Sequence, residues 1–109
     1  MPDTKFHFED IKIGNGEEVK SGDYIRIHYK GTLENGTEFD SSYKRGEPFK
    51  CRIGAGEVIE GWDMGVLGMK LGGKRKLIVP PKLAYQDQEI GDIPPNSTLI
   101  FEVELIGID

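Results

Sequence analysis

The run Val58-Ile-Glu-Gly-Trp-Asp-Met-Gly-Val66 sets the only tryptophan of the chain on an apolar helical stripe, directly behind a Gly-Ala-Gly turn at 54–56. An indole offers a large, flat apolar surface that can either fill a core or floor a pocket for another apolar ring. Bond-breaking chemistry is poorly supplied by comparison. Ser41 and Ser42 have no histidine near them in sequence to act as a base. Cys51 is the single cysteine, so an intrachain disulfide cannot form and a thiolate zinc site lacks its ligands. His7 and His28 do not complete a metal-ligand set, and His28, alternating outward along a strand, reads as solvated. The run Gly68-Met-Lys-Leu-Gly-Gly-Lys74 imitates a phosphate-binding loop, but Arg75 stands where a Ser or Thr would hold magnesium. No metal or cofactor is expected, and a site here would act by shape.

The elements that position Trp62 are mostly strands. In 23–30, Ile25, Ile27 and Tyr29 fall on one face while Arg26, His28 and Lys30 fall on the other, the alternation of a half-buried antiparallel strand. Asn35-Gly36 predicts a two-residue type I′ turn that returns Thr37-Glu38-Phe39 beside it. Phe49, Cys51 and Ile53 share one face of a further strand. Lys74–Val79 is another, stopped by Pro80-Pro81, and 98–105 alternates cleanly enough to be central. Ile59, Trp62 and Val66 recur at helical spacing, although Gly61 and Gly65 each cost about 1 kcal/mol of helix propensity. The fold class predicted is α+β: a twisted antiparallel sheet of about five strands wrapped around one short helix. The long loop between Pro81 and Pro94 has the mixed polarity of a functional segment.

A chain of 109 residues suits one domain spanning 1–109, with an N-terminal strand and turn over 1–17. Nineteen acidic residues against fourteen basic ones give a net charge of −5, which argues against a nucleic-acid partner; Lys74-Arg75-Lys76 reads as a solvated face. No stretch approaches the ~20 apolar residues of a membrane span, and the start MPDTKFHFED has no apolar leader core. No membrane association is expected, and a cytoplasmic monomer is. The Asn35 and Asn96 sequons then read as a hairpin turn and a loop.

From about Glu18 to the C-terminus the chain resembles an FKBP-type peptidyl-prolyl cis-trans isomerase. The resemblance rests on IHYKGTLENGTEFDSS at 27–42, Pro48-Phe49, VIEGWDMGV at 58–66, Leu83-Ala84-Tyr85 and IPPNSTLIFEVEL at 93–105, all in that family's order. It implies a prolyl pocket with Trp62 as floor and Tyr29, Phe39, Phe49, Val58, Ile59 and Phe101 as walls. Asp40 and Tyr85 would add polar groups at the rim, which Glu57 and Ile90 would also share. Two departures stand out. Cys51 occupies a position where many relatives carry an aromatic, which opens the prospect of a thiol at the pocket edge. Gln86 replaces the usual glycine, and the segment to Asp92 is about one residue short.

Rotation about an X–Pro bond crosses a barrier of ~18–20 kcal/mol, although its cis and trans ends differ by only about 0.5–1 kcal/mol. An enzyme can therefore work by holding the bond twisted, gaining tenfold in rate for each ~1.4 kcal/mol of preference. A dry pocket assists, because the planar amide is the more charge-separated form. The resemblance thus implies Trp62, Phe39, Phe101, Asp40 and Tyr85 as the catalytic set, with the Ile59 N–H and Tyr85 hydroxyl holding the flanking peptide. It also implies binding of proline-containing peptides and proteins, of tacrolimus and rapamycin, and a drug-dependent contact with calcineurin. A catalytically silent module holding proline peptides in the same pocket is the competing reading.

Overall fold

The computed structural model describes residues 6–109; the part of the expected N-terminal strand before Phe6 lies outside them. Six strands, rather than about five, make one antiparallel sheet: β1 (His7–Lys12), β2 (Tyr24–Leu33), β3 (Glu38–Ser41), β4 (Phe49–Arg52), β5 (Lys74–Val79) and β6 (Leu99–Ile108). Their order is β1-β5-β6-β2-β3, with β4 pairing β2 beyond the end of β3, so β6 is central as its alternation requires. Leu99, Phe101, Val103 and Leu105 of β6 are buried, as are Ile25, Ile27 and Tyr29 of β2 and Leu77 and Val79 of β5. Together they make the concave face.

The helix α2 (Glu60–Gly65) covers that face, and its glycines explain themselves there. A Cβ added at Gly61 would stand 2.4 Å from a methyl of Val79, and one at Gly65 would stand 2.7 Å from Leu77. The lost helix propensity is exchanged for a close approach of helix to sheet that buries Trp62 and Val66. Among the described residues no helix is long and apolar enough to cross a membrane.

Three local expectations need correction. The 33–37 turn is not type I′, because Asn35 has no positive φ; only Gly36 does, at 90°. Leu33 O accepts the Gly36 N–H, Thr37 O accepts the Leu33 N–H, and the Asn35 side chain accepts the Thr37 N–H at 2.9 Å. An Asx-type bond thus does the work assigned to a second left-handed residue. Arg75 does not belong to a solvated face. It is 7% exposed, its guanidinium bonded to Asp10 at 2.8 Å and to the Gly65 and Leu67 carbonyls at 2.9 and 3.1 Å, capping the end of α2. His28 is not simply solvated either: half-buried, it stacks on Tyr43 at 4.6 Å and meets the Ser42 hydroxyl at 2.8 Å. Both residues come from a four-residue helix, α1 (Ser42–Arg45), too short to leave a periodic trace in sequence.

Candidate functional site

Between α2 and the concave face opens a cavity of about 170 Å³ lined by Tyr29, Phe39, Asp40, Phe49, Glu57, Val58, Ile59, Trp62, Tyr85 and Phe101. The strand pleat supplies one wall: Tyr29 on β2 and Phe101 on β6 point to the same face, and Phe39 follows from β3. Gly31 makes room between them, since a Cβ there would stand 2.6 Å from Phe39 and 3.0 Å from Phe101. Trp62 is the floor. Tyr29, Phe101 and Phe49 each stand nearly perpendicular to it, at 5.0, 5.4 and 6.0 Å between centroids and 82–86° between planes. This is the arrangement that ring quadrupoles favour. The indole is only 4% exposed, yet its N–H has no partner among the described residues; packing, not a hydrogen bond, fixes the ring.

The opposite lip descends from the turn before α2. Asp63, on α2 itself, accepts the Gly54 and Gly56 N–H groups at 2.8 and 3.2 Å, and Glu57 accepts the Arg52 N–H at 3.0 Å. These bonds hold Glu57, Val58 and Ile59 against the cavity. Ile59 ends the turn as the N-cap of α2, and no bond from its own N–H is found among the described residues.

The polar rim is more organised than the sequence suggested. Tyr29 donates its hydroxyl to Asp40, and Arg45, at the last position of α1, binds Asp40 at 2.5 Å and the Tyr29 oxygen at 3.1 Å. Burial pulls the Asp40 carboxyl upward, but the bonds from Tyr29 and Arg45 outweigh it and hold the group below the ordinary carboxylate value. Burial, with the Asp40 bond adding to it, pushes the Tyr29 phenol up; burial and then the Asp40 charge do the same to Tyr85. Asp40 thus sits as a partly exposed carboxylate bonded to Tyr29, Arg45 and the Ser41 N–H. Arg45 escaped sequence reading, and its only signal was a basic residue five positions after Asp40. Asp63 escaped as well.

Of two further rim candidates, Ile90, expected there, and Cys51, the lesser alternative to an inert core thiol, neither is brought in. Ile90 lies outside the cavity: it is exposed, and a narrow turn pins it through reciprocal bonds with Ile93 at 3.0 and 2.8 Å. Cys51 faces the core at 1% exposure and does not line the cavity, its thiol pushed up to about 11 by burial and then by Glu57 and Asp63. A buried, protonated thiol is unreactive. A maleimide at neutral pH should therefore label Cys51 no faster than the protein opens; rapid, stoichiometric labelling of the folded protein would return the thiol to the surface. Gln86, in the position of the missing glycine, has φ of 56°, a left-handed conformation that a residue with a side chain tolerates less well than glycine.

Comparison with known proteins gives concordant matches. The family model described as FKBP-type peptidyl-prolyl cis-trans isomerase matches residues 15–106. FK506-binding protein 2 of Dictyostelium discoideum is 63% identical over 93 residues, covering 84% of this chain and 70% of the relative. FK506-binding protein 1A of Neurospora crassa is 56% identical over 92 residues, covering 84% and 77%. The crystal structure of AtFKBP13 superposes with a TM-score of 0.90 at 47% identity, covering 95% of this chain and 93% of that one.

Proposed function

From its membership of the FKBP-type peptidyl-prolyl cis-trans isomerase family, to which this chain belongs, we propose that it accelerates X–Pro rotation in the Trp62 cavity by binding the twisted amide better than the planar one. The observation that carries this reading is the box of three rings set nearly perpendicular to the indole. A pyrrolidine ring suits such a floor. The edges of Tyr29, Phe39 and Phe101 meet the rotating carbonyl with weakly positive C–H groups, while the dry walls raise the planar amide relative to the twisted one. The Ile59 N–H and the Tyr85 hydroxyl hold the flanking backbone, and Phe49, Val58 and Glu57 bound the space on the side of the preceding residue. Asp40 does no proton transfer: its oxygens are committed to Tyr29, Arg45 and the Ser41 N–H, so its contribution is to fix the Tyr29 ring.

The same cavity is proposed to bind tacrolimus and rapamycin, whose pipecolyl ring resembles proline. Ile90, exposed beside the rim loop, then belongs to the drug-loaded surface that would meet calcineurin. The proposed working form is a cytoplasmic monomer.

The test is cis/trans exchange of a Leu-Pro or Phe-Pro peptide followed by NMR without a coupled protease, with Trp62, the only tryptophan, as the binding reporter. Micromolar protein should accelerate exchange, and stoichiometric tacrolimus should shift Trp62 emission and stop the acceleration. Peptide binding with exchange left at its uncatalysed rate would identify a silent module instead.

A further inference from the structure

Along the outer edge of β2, β3 pairs only with Lys30–Thr32 and β4 only with Tyr24–Ile27. His28 and Tyr29 fall in the gap between the two partners, so the Tyr29 N–H, aimed away from β6, has no strand to bond. Ser42 fills that gap. Fully buried, its hydroxyl accepts the Tyr29 N–H at 2.7 Å, donates toward the Tyr29 carbonyl at 3.3 Å and lies 2.8 Å from His28 Nδ1. The hydroxyl has a single proton: with Nδ1–H on His28 it accepts from the ring and donates to the Tyr29 carbonyl, and with Nδ1 bare it donates to the ring instead, while the Tyr29 N–H is accepted in both cases. From the same turn Tyr43 stacks on His28 and donates to Glu104 at 2.9 Å, while Arg45 reaches round to the Tyr29 phenol and Asp40. The helix α1 therefore grips β2 on its outer face, at its edge and at the cavity.

We propose that Ser42 is a positioning residue for the isomerisation, standing in for a strand partner at Tyr29 and thereby fixing, together with Arg45 on the same turn, where the Tyr29 ring edge meets the substrate carbonyl. Ser42 does not line the cavity and touches no substrate. Its action on the reaction passes through the Tyr29 backbone. The inference rests on the reading of the cavity as the catalytic site.

The experiment compares wild type, Ser42→Ala, Arg45→Met and the double variant by NMR peptide exchange, at a temperature where thermal melts find each folded. Ser42→Ala should lower kcat by about five- to tenfold, the scale of one buried hydrogen bond. KM should stay within about twofold, because the Trp62 floor that binds the ring is untouched. Arg45→Met should lower kcat similarly, and the double variant should be little worse than the poorer single, since both act on one ring. The Tyr29 ring resonances should shift, and the Trp62 indole signal, 5.0 Å away, should shift less. Wild-type kcat in folded Ser42→Ala, or losses that multiply in the double variant, would overturn the proposal. Should Ser42→Ala not fold, the near-isosteric Ser42→Cys, a weaker acceptor, carries the test: reduced kcat with retained KM supports the proposal and wild-type kcat overturns it. Failure of the cavity reading looks different, because wild type itself would then bind peptide without accelerating exchange.

Discussion

Trp62→Ala is expected to lose about 3–5 kcal/mol of unfolding free energy and essentially all acceleration of peptide exchange. The indole is nearly fully buried and three aromatic rings stand nearly perpendicular to it, so truncation removes a shared neighbour from all of them and leaves a hole between α2 and the sheet. No hydrogen bond to a described residue is forfeited, because the indole N–H has no partner among them; the loss is one of packing and floor. Trp62→Phe should accordingly recover much of the stability and part of the activity. Urea unfolding read with peptide exchange checks both. A Trp62→Ala protein destabilised by less than about 1 kcal/mol and still active would show that the ring is not the floor.

The second large effect is expected far from the cavity. Arg75→Met should cost about 2–4 kcal/mol, because it strips the Gly65 and Leu67 carbonyls of their donor and leaves Asp10 without its cation. Those carbonyls lie at and just past the end of α2, so that end should fray and peptide turnover should suffer with it once unfolding begins. Lys74→Met and Lys76→Met, on the other face of the same strand, should each change stability by less than about 0.5 kcal/mol. Equal effects at the three positions would mean that Arg75 does not hold α2.

These two residues also mark what the sequence can and cannot carry. Period-two alternation identified β2, β5 and β6 because one face of each is buried, and the Trp62 stripe identified α2 because nothing else could cover the sheet. Alternation says nothing of what a cation can reach, so Arg75 read as one of three solvated charges although its neighbours face the opposite side. Local chemistry named the 33–37 hairpin but not its geometry, since a side-chain oxygen satisfied the backbone in place of a second positive φ. The aromatic walls were legible through family resemblance rather than pattern: Phe39 and Phe49 lie on short strands whose exposure gives no signal of a cavity. The helix α1, with Arg45 and Ser42, was invisible because four residues make one turn and its role exists only once β3 and β4 leave β2 unpaired at Tyr29.

Rotation accelerated by a dry, preshaped box without proton transfer, as proposed for this cavity, should leave kcat/KM independent of pH. Asp40, its folded pKa lowered by Tyr29 and Arg45 against the pull of burial, stays ionised above the ordinary carboxylate range. Tyr29 and Tyr85, raised by burial, stay neutral below the ordinary phenol value of 10.0. Between about pH 5 and 9 none of the three changes charge. Below that window, protonating Asp40 would release the Tyr29 ring and remove the stability that its depressed pKa contributes, so activity and stability should fall together only as pH drops through the folded value. Peptide exchange measured from pH 5 to 9 should therefore give a flat kcat/KM, the same in deuterated water. A bell-shaped profile, or a solvent isotope effect of about two or more, would require a proton in flight and contradict the account.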